Sequence, residues 1–171
     1  MERARRVEYA LVDREGVEPA ERVGAVAGRL VDAMPAEIAV ADTIGVGVPT
    51  QVHDVVGAVA AVAPGVPLRI HLHNTRNTGY ANAVAALEAG VSALDASTCG
   101  IGGCPFAPNA TGNIATEDLL YCLDRMGVET GVALDRWWRP GSGSASGSAR
   151  RCPHCSARPV RFRHRIARCP P

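Results

Sequence analysis

The chain repeats one pattern four times: a short apolar segment, followed by a longer segment whose apolar residues recur at helical spacing. The short segments are VEYALV, EIAVAD, VPLRIHLHN and VSALDAST. The helical segments after them are EPAERVGAVAGRLVDAM, TQVHDVVGAVAAVA, TGYANAVAALEAG and ATEDLLYCLDRMG. Because each helix returns the chain to the same end of a sheet, consecutive strands should run parallel. The sequence therefore predicts an α/β fold of about four parallel strand–helix units.

Four such units are compatible with an open sheet or with part of a barrel. A complete (β/α)₈ barrel needs about 250 residues, and this chain has 171. It would therefore supply about half of a barrel. After Trp138 the composition changes, since GSGSASGSA is typical of a flexible linker and the following segment is rich in Arg, Pro and Cys. We expect one partial-barrel domain over residues 1–138 and a disordered tail over residues 139–171.

The tail carries a pattern of its own. Cys152 and Cys155 have the spacing of half a zinc site, and His164 and Cys169 follow them. However, the tail lacks the apolar residues that even a small zinc fold must pack. A disordered tail is therefore favoured over a zinc site.

Charge and hydropathy argue against several classes of protein. With 18 Lys and Arg against 17 Asp and Glu, nothing in the total charge favours nucleic acid or a membrane surface as a partner. The sequence has no apolar run long enough to span a membrane, and MERARRVEYA lacks the apolar centre of a signal peptide. The six cysteines do not form a small secreted framework. We expect a cytoplasmic protein with reduced thiols.

Polar side chains gather where the predicted strands end. His71 and His73 end the third strand, and in an extended chain they point to one side while Leu72 points to the other. Two imidazoles on one side can bind a divalent cation together, although solvated or hydrogen-bonded histidines at a strand end give the same pattern. In parallel α/β sheets this end is where sites are built. The other polar residues at these ends are Asp13, Asp42, Asn74, Asp95, Ser97 and Thr98.

The segment STCGIGGCPFAPNATGNIATEDLL carries two further candidates. Gly100, Gly102 and Gly103 surround Cys104 and permit unusual backbone conformations, which predicts a mobile loop that holds a thiol over a site. Alternatively, Cys104 is an inert buried residue. Asn113 could share a cation with the two histidines through its amide oxygen, or it could cap the helix that follows.

Three segments together resemble the C-terminal half of the hydroxymethylglutaryl-CoA lyases, which are metal-dependent enzymes built on a (β/α)₈ barrel. The likeness runs from about Val7 to Leu134, and its most specific element is the loop GGCPFAPNATGN. The segments are ADTIGVGVP, HLHNTRNTGYANAVAALEAGVSALDAS and GIGGCPFAPNATGNIATEDLLYCLDRMGVETGV.

The resemblance implies cleavage of 3-hydroxy-3-methylglutaryl-CoA to acetoacetate and acetyl-CoA. His71, His73 and Asn113 would bind Mg²⁺ or Mn²⁺, and His71 would also act near the proton transfer. Such a cation orients the hydroxyl and carboxylate oxygens of the substrate, a base removes the hydroxyl proton, and an acid protonates the enolate that leaves. A Claisen-type synthase or a carboxyltransferase is the alternative, and the loop that contains Cys104 favours the lyase.

Four more residues match the active-site pattern of that family. Cys104 would be the thiol of the catalytic loop, and Asp42 in ADTIG would be a catalytic aspartate. Glu117 and Asp118 would be acidic residues that support the site.

The sequence departs from the family in two places. Asn74 follows the histidines where the family usually has an aspartate. The first barrel strand of the family, whose arginine–aspartate pair stabilises an oxyanion and binds the metal, has no counterpart here, because Asp13 and Arg14 lie only two strands before His71. An active enzyme would therefore need an N-terminal half-barrel from another chain or from self-association. Otherwise the chain is a non-enzymatic gene fragment with exposed sheet edges.

Overall fold

The computed structural model describes residues 6–10, 12–13, 16–102 and 111–132. The predicted catalytic-loop residue Cys104 and the loop residue Arg14 lie outside these ranges, as do all residues after 132. The expected domain end near Trp138 and the expected tail over residues 139–171 therefore stay predictions.

The strands are β1 (Arg6–Ala10), β2 (Val12–Asp13), β3 (Gly16–Val17), β4 (Glu37–Asp42), β5 (Leu68–Leu72) and β6 (Ala93–Asp95). The main sheet has four parallel strands in the order β1-β4-β5-β6. A separate two-stranded ribbon, β2 with β3, is antiparallel. The parallel sheet confirms the prediction from the fourfold pattern.

Four helices alternate with the strands of the main sheet, as predicted. They are α1 (Ala20–Val31), α2 (Pro49–Val62), α3 (Gly79–Glu88) and α4 (Thr116–Arg125), and a short 3₁₀ turn covers Thr98–Gly100. The apolar face of α2 buries Val52, Val56 and Val59 at helical spacing against the sheet. The core therefore lies between the helices and one face of the sheet.

The ribbon corrects one detail of the sequence prediction. A single strand was expected through Val12, but β1 ends at Ala10, and Val12 pairs with Val17 instead. Asp13 pairs with Gly16 in this ribbon, outside the main sheet. Valine is β-branched and favours extended structure, which is consistent with the pairing of Val12 and Val17.

The alternation of side chains along β5 decides where the site can lie. Leu68, Ile70 and Leu72 are buried in the core beneath the helices. Arg69 and His71 occupy the alternate positions and are only half-buried. The histidines therefore belong to the sheet face that is turned away from the helices, which is the interior face in a closed barrel.

Two structural features bear on the expectations from composition. Cys99 and Cys122 are free cysteines, and the redox state of the thiols stays a prediction. Within the residues that the structure describes, no helix has the length and apolar character needed to cross a membrane.

Substitution Ile70→Ala should lower the free energy of unfolding by about 3 kcal/mol, because it leaves a cavity in a site that is only 1% exposed. The matched control is Ile101→Ala, whose side chain is 73% exposed and should change stability by less than about 0.5 kcal/mol. Urea unfolding followed by circular dichroism measures both. Equal effects of the two substitutions would contradict the proposed core.

Candidate metal centre

The end of β5 lies against the loop segment that precedes α4. His73 and Asn113 form an isolated antiparallel bridge. The flanking backbone bonds are Asn74 N to Gly112 O at 3.0 Å and Ile114 N to Leu72 O at 3.2 Å. In a pair flanked in this way the two α carbons lie about 4.5 Å apart and the side chains are close. The fold thus brings Asn113 beside His73, and the shared ion of His71, His73 and Asn113 stays a prediction.

The two histidine rings contact each other edge to face. Their centroids are 4.8 Å apart and their planes make an angle of 87°. His73 is 5% exposed, whereas His71 is half-buried. The side chain of Leu72 between them is buried in the core, so both imidazoles are on the same side of the strand.

Each ring is held at Nδ1 by a group of a neighbouring strand. His73 Nδ1 lies 2.8 Å from the carbonyl oxygen of Asp42, and His71 Nδ1 lies 2.5 Å from Oδ1 of Asp95. A carbonyl or carboxylate oxygen only accepts, so Nδ1 donates in both pairs. In the neutral ring the lone pair is then on Nε2, which is the usual arrangement of a metal-binding histidine.

Asn113 presents an unsatisfied oxygen. Its Nδ2 donates to the carbonyl oxygen of Ile101 at 3.1 Å, and its Oδ1 is buried without a hydrogen-bond partner among the described residues. Gly102, with φ of +131°, makes room for this amide, since a Cβ there would collide with Nδ2 of Asn113. Leaving such an oxygen unpaired costs about 1–3 kcal/mol, which a bound cation would offset.

The alternative interpretation of Asn113 as a helix cap is wrong. Ala115 occupies the N-cap position of α4, and no side chain caps that helix. The amide of Asn113 is turned toward the backbone of Ile101 instead.

Two imidazole nitrogens and one amide oxygen form a donor set that fits a divalent cation. Mg²⁺ prefers oxygen ligands, whereas Mn²⁺ accepts this mixture of nitrogen and oxygen more readily. Among the residues described, no group of three or more His, Cys, Asp or Glu side chains could hold a metal. An octahedral ion at these three residues would therefore need further ligands from other groups.

Asp42 is fully buried and organises the loop that follows β4. Its Oδ1 accepts hydrogen bonds from the backbone of Gly45 (2.9 Å) and Val46 (3.2 Å), and its Oδ2 accepts one from Gly47 (3.0 Å). Burial raises the pKa of the Asp42 carboxyl, an effect that these bonds and the charge of His73 partly offset. These contacts, with the carbonyl bond to His73, describe a positioning residue, and the catalytic role of Asp42 stays a prediction.

Glu117 and Asp118 support the backbone near the site. The carboxylate of Glu117 accepts from the backbone N–H of Cys99 at 3.0 and 3.1 Å, and Cys99 has a left-handed φ of +55°. Oδ2 of Asp118 accepts from the hydroxyl of Tyr80 at 3.2 Å, and that hydroxyl accepts from the backbone of Ala115 at 2.9 Å. Both carboxylates thus hold the segments on either side of the predicted catalytic loop.

Compared with the aspartate that the family usually has at this position, Asn74 removes a negative charge but keeps a hydrogen-bond acceptor. Its Oδ1 accepts from the backbone N–H of Gly79 at 3.2 Å. Gly79 begins α3, and a Cβ there would lie 2.9 Å from the carbonyl oxygen of His73. An aspartate could accept the same bond, so the exchange leaves the junction between strand and helix intact.

Sequence reasoning missed a charged network beside His71. Arg69 donates two hydrogen bonds to Glu37, from Nε at 2.7 Å and from Nη2 at 2.9 Å. Its Nη1 is 3.8 Å from Oδ2 of Asp95, the same carboxylate that accepts from His71. The available signal was the alternation along β5, which places Arg69 on the same face as His71.

Substitution Asp42→Ala should lower the free energy of unfolding by about 2–4 kcal/mol, because it removes the acceptors of three backbone N–H groups. Asp42→Asn should cost less, since one acceptor oxygen remains. Asp54→Ala, at an exposed position of α2, is the control and should have little effect. If Asp42→Ala unfolds at the same urea concentration as the control, the carboxylate does not hold the loop.

Comparison with known proteins identifies the family to which this chain is similar. A sequence model described as HMGL-like matches residues 1–141. An (R)-citramalyl-CoA lyase of Chloroflexus aurantiacus is 51% identical over 120 residues, which cover 70% of this chain and 38% of that protein. The mitochondrial hydroxymethylglutaryl-CoA lyase of Mus musculus is 43% identical over 122 residues, covering 71% of this chain and 38% of the mouse protein. The chain thus spans less than half the length of these curated relatives.

Solved structures show the same partial coverage. An HMG-CoA lyase from Brucella melitensis has a TM-score of 0.71 at 38% identity, covering 77% of this chain and 48% of that one. An HMG-CoA lyase from Acinetobacter baumannii, in complex with coenzyme A and 3-methylmalate, has a TM-score of 0.72 at 36% identity. The match covers 77% of this chain and 44% of that one. These likenesses confirm the predicted partial barrel. The chain belongs to the HMGL-like family of hydroxymethylglutaryl-CoA lyases and related acyl-CoA lyases, which is in general metal-dependent.

Proposed function

We propose that this chain supplies the metal-binding part of an acyl-CoA lyase that cleaves 3-hydroxy-3-methylglutaryl-CoA to acetoacetate and acetyl-CoA. The observation that carries the proposal is the set formed by His71, His73 and Asn113. Both rings are held at Nδ1, and the buried amide oxygen has no partner among the described residues. The relatives named hydroxymethylglutaryl-CoA lyase support the choice of substrate.

The identity to a citramalyl-CoA lyase supports a second candidate substrate. The citramalyl-CoA lyase is 51% identical to this chain, against 43% for the mouse hydroxymethylglutaryl-CoA lyase. The two reactions share an acyl-CoA substrate and a carbon–carbon cleavage. Citramalyl-CoA is therefore the alternative substrate to test.

The residues of this chain would orient and protonate the reacting groups. A bound Mg²⁺ or Mn²⁺ would polarise the hydroxyl oxygen of the substrate and fix its orientation. Asp95 holds the ring of His71 at Nδ1, which keeps the lone pair on Nε2 for the cation, so His71 would act near the proton transfer as a ligand of that cation. Cys104 stays the predicted catalytic-loop thiol. The segments beside its loop are held by Glu117 and Asp118.

The proposed activity depends on a complementary half-barrel as a partner. β6 has one neighbour in the main sheet of the described residues, so its other edge is open. Beside this edge lies a groove of about 520 Å³, lined mainly by apolar residues of β6, α4 and the segment after α4, among them Leu94, Leu119 and Leu123. A further strand and helix of the barrel would cover both the edge and the groove. An N-terminal half-barrel or a second copy of the chain is the proposed partner.

Substitution His73→Ala in the full 171-residue chain should weaken Mn²⁺ binding at least about tenfold, because it removes a proposed ligand. His53→Ala is the matched control, since the side chain of His53 on α2 is 45% exposed and should leave binding unchanged. Titration of Mn²⁺ monitored by electron paramagnetic resonance measures both affinities. Equal affinities in the two variants would remove His73 from the metal centre.

The 171-residue chain alone should show no appreciable acetyl-CoA release from either substrate, even with Mn²⁺ added. One missing preorganised group commonly costs about 10²–10³ in rate, and the arginine–aspartate pair of the family has no match here. Mixing the chain with an N-terminal half-barrel from a full-length relative should produce turnover, and His71→Ala should abolish that turnover. Robust turnover by the chain alone, lost in Cys104→Ala, would contradict the need for a partner.

A further inference from the structure

We propose that Asp95 is a positioning residue that selects the protonated nitrogen of His71, and that Arg69 in turn aims Asp95. This inference rests on the proposed metal site, since its purpose is to keep the lone pair of His71 on Nε2. The contact that carries it is the 2.5 Å approach of Asp95 Oδ1 to His71 Nδ1.

The sheet register places these two residues side by side. His71 of β5 is the direct partner of Asp95 of β6 in the parallel ladder. Side chains at such positions extend from the same face of neighbouring strands. Their contact is therefore built into the register of the sheet and does not depend on a loop.

Arg69 fixes which oxygen of Asp95 faces His71. Oδ1 is toward His71, and Oδ2 is 3.8 Å from Nη1 of Arg69. The guanidinium is held from its other side by two hydrogen bonds to Glu37. Glu37, Arg69 and Asp95 together carry one net negative charge when ionised, which favours a cation beside His71.

A simple ion pair between Asp95 and Arg69 does not account for this geometry. Glu37 is the close partner of Arg69, at 2.7 and 2.9 Å, whereas the approach to Asp95 is 3.8 Å. The short contact of Asp95 is with His71. The closer contact of the Asp95 carboxylate is thus with the imidazole of His71, and the guanidinium of Arg69 limits the rotation of that carboxylate.

The substitution Asp95→Asn separates positioning from folding, because the amide has nearly the shape of the carboxylate. The guanidinium of Arg69 donates only, so it favours the amide oxygen on its own side. The amide nitrogen then faces His71 and donates to Nδ1, which forces the hydrogen of the neutral ring onto Nε2. An amide in place of a histidine-orienting aspartate is known to impose the wrong tautomer in this way.

The experiment is long-range ¹H–¹⁵N correlation NMR on the metal-free 171-residue chain, at a pH where the rings are neutral. His71 should show the hydrogen on Nδ1 in the parent chain and on Nε2 in Asp95→Asn. His73 is the internal control, because its Nδ1 is held by the backbone of Asp42 and should keep its signature. Asp54→Asn, at an exposed aspartate, controls for a general loss of charge. Mn²⁺ affinity should fall about 10–100-fold in Asp95→Asn only.

The outcomes distinguish this inference from the proposed function. A parent chain with the hydrogen of His71 on Nε2, or an Asp95→Asn variant that keeps it on Nδ1, would overturn the role of Asp95. An unchanged Mn²⁺ affinity in a variant with the switched tautomer would overturn the link between positioning and metal. If the tautomer switches as expected but the parent chain binds no Mn²⁺, the positioning of His71 by Asp95 stands and the proposed metal site fails.

Discussion

The site depends on the alternation of side chains along β5. Ile70 and Leu72 are buried against the helices, and this burial turns Arg69 and His71 to the opposite face. A slip of one residue in the register would exchange the two sets, placing the imidazoles in the apolar core and the leucine on the open face. The free energy of core burial therefore sets the orientation of the histidines, and any chemistry they perform rests on it.

Neighbouring strands supply the hydrogen-bond acceptor that holds each histidine ring. β4 provides the carbonyl oxygen of Asp42 for His73, and β6 provides the carboxylate of Asp95 for His71. Because both partners are acceptors, both neutral rings would have their lone pair on Nε2. Close packing also requires glycine beside the site, since a Cβ at Gly45 would lie 2.8 Å from the Cβ of His73. The arrangement is a property of three adjacent strands and their loops.

The described residues supply only part of the ligand set that an octahedral ion needs. The end of β5 supplies two imidazoles, and the loop before α4 supplies an amide oxygen beside them. No group of three acidic, histidine or cysteine ligands exists among the residues that the structure describes. The chain spans 38% of the length of its curated relatives, and the proposed chemistry therefore joins this half-site to groups contributed by a complementary half-barrel.

The sequence by itself determined the alternation of strands and helices, because apolar periodicity reflects burial directly. The spacing of His71 and His73 placed both on one face for the same reason. Tertiary structure decided what local pattern cannot encode: that Asn113 bridges to His73 instead of capping α4, and that the carboxylate of Asp42 holds a loop. Tertiary structure also decided that Asp95 contacts His71 and that Arg69 lies beside Asp95. These contacts join residues of different strands and loops, so they exist only once the register of the sheet is set.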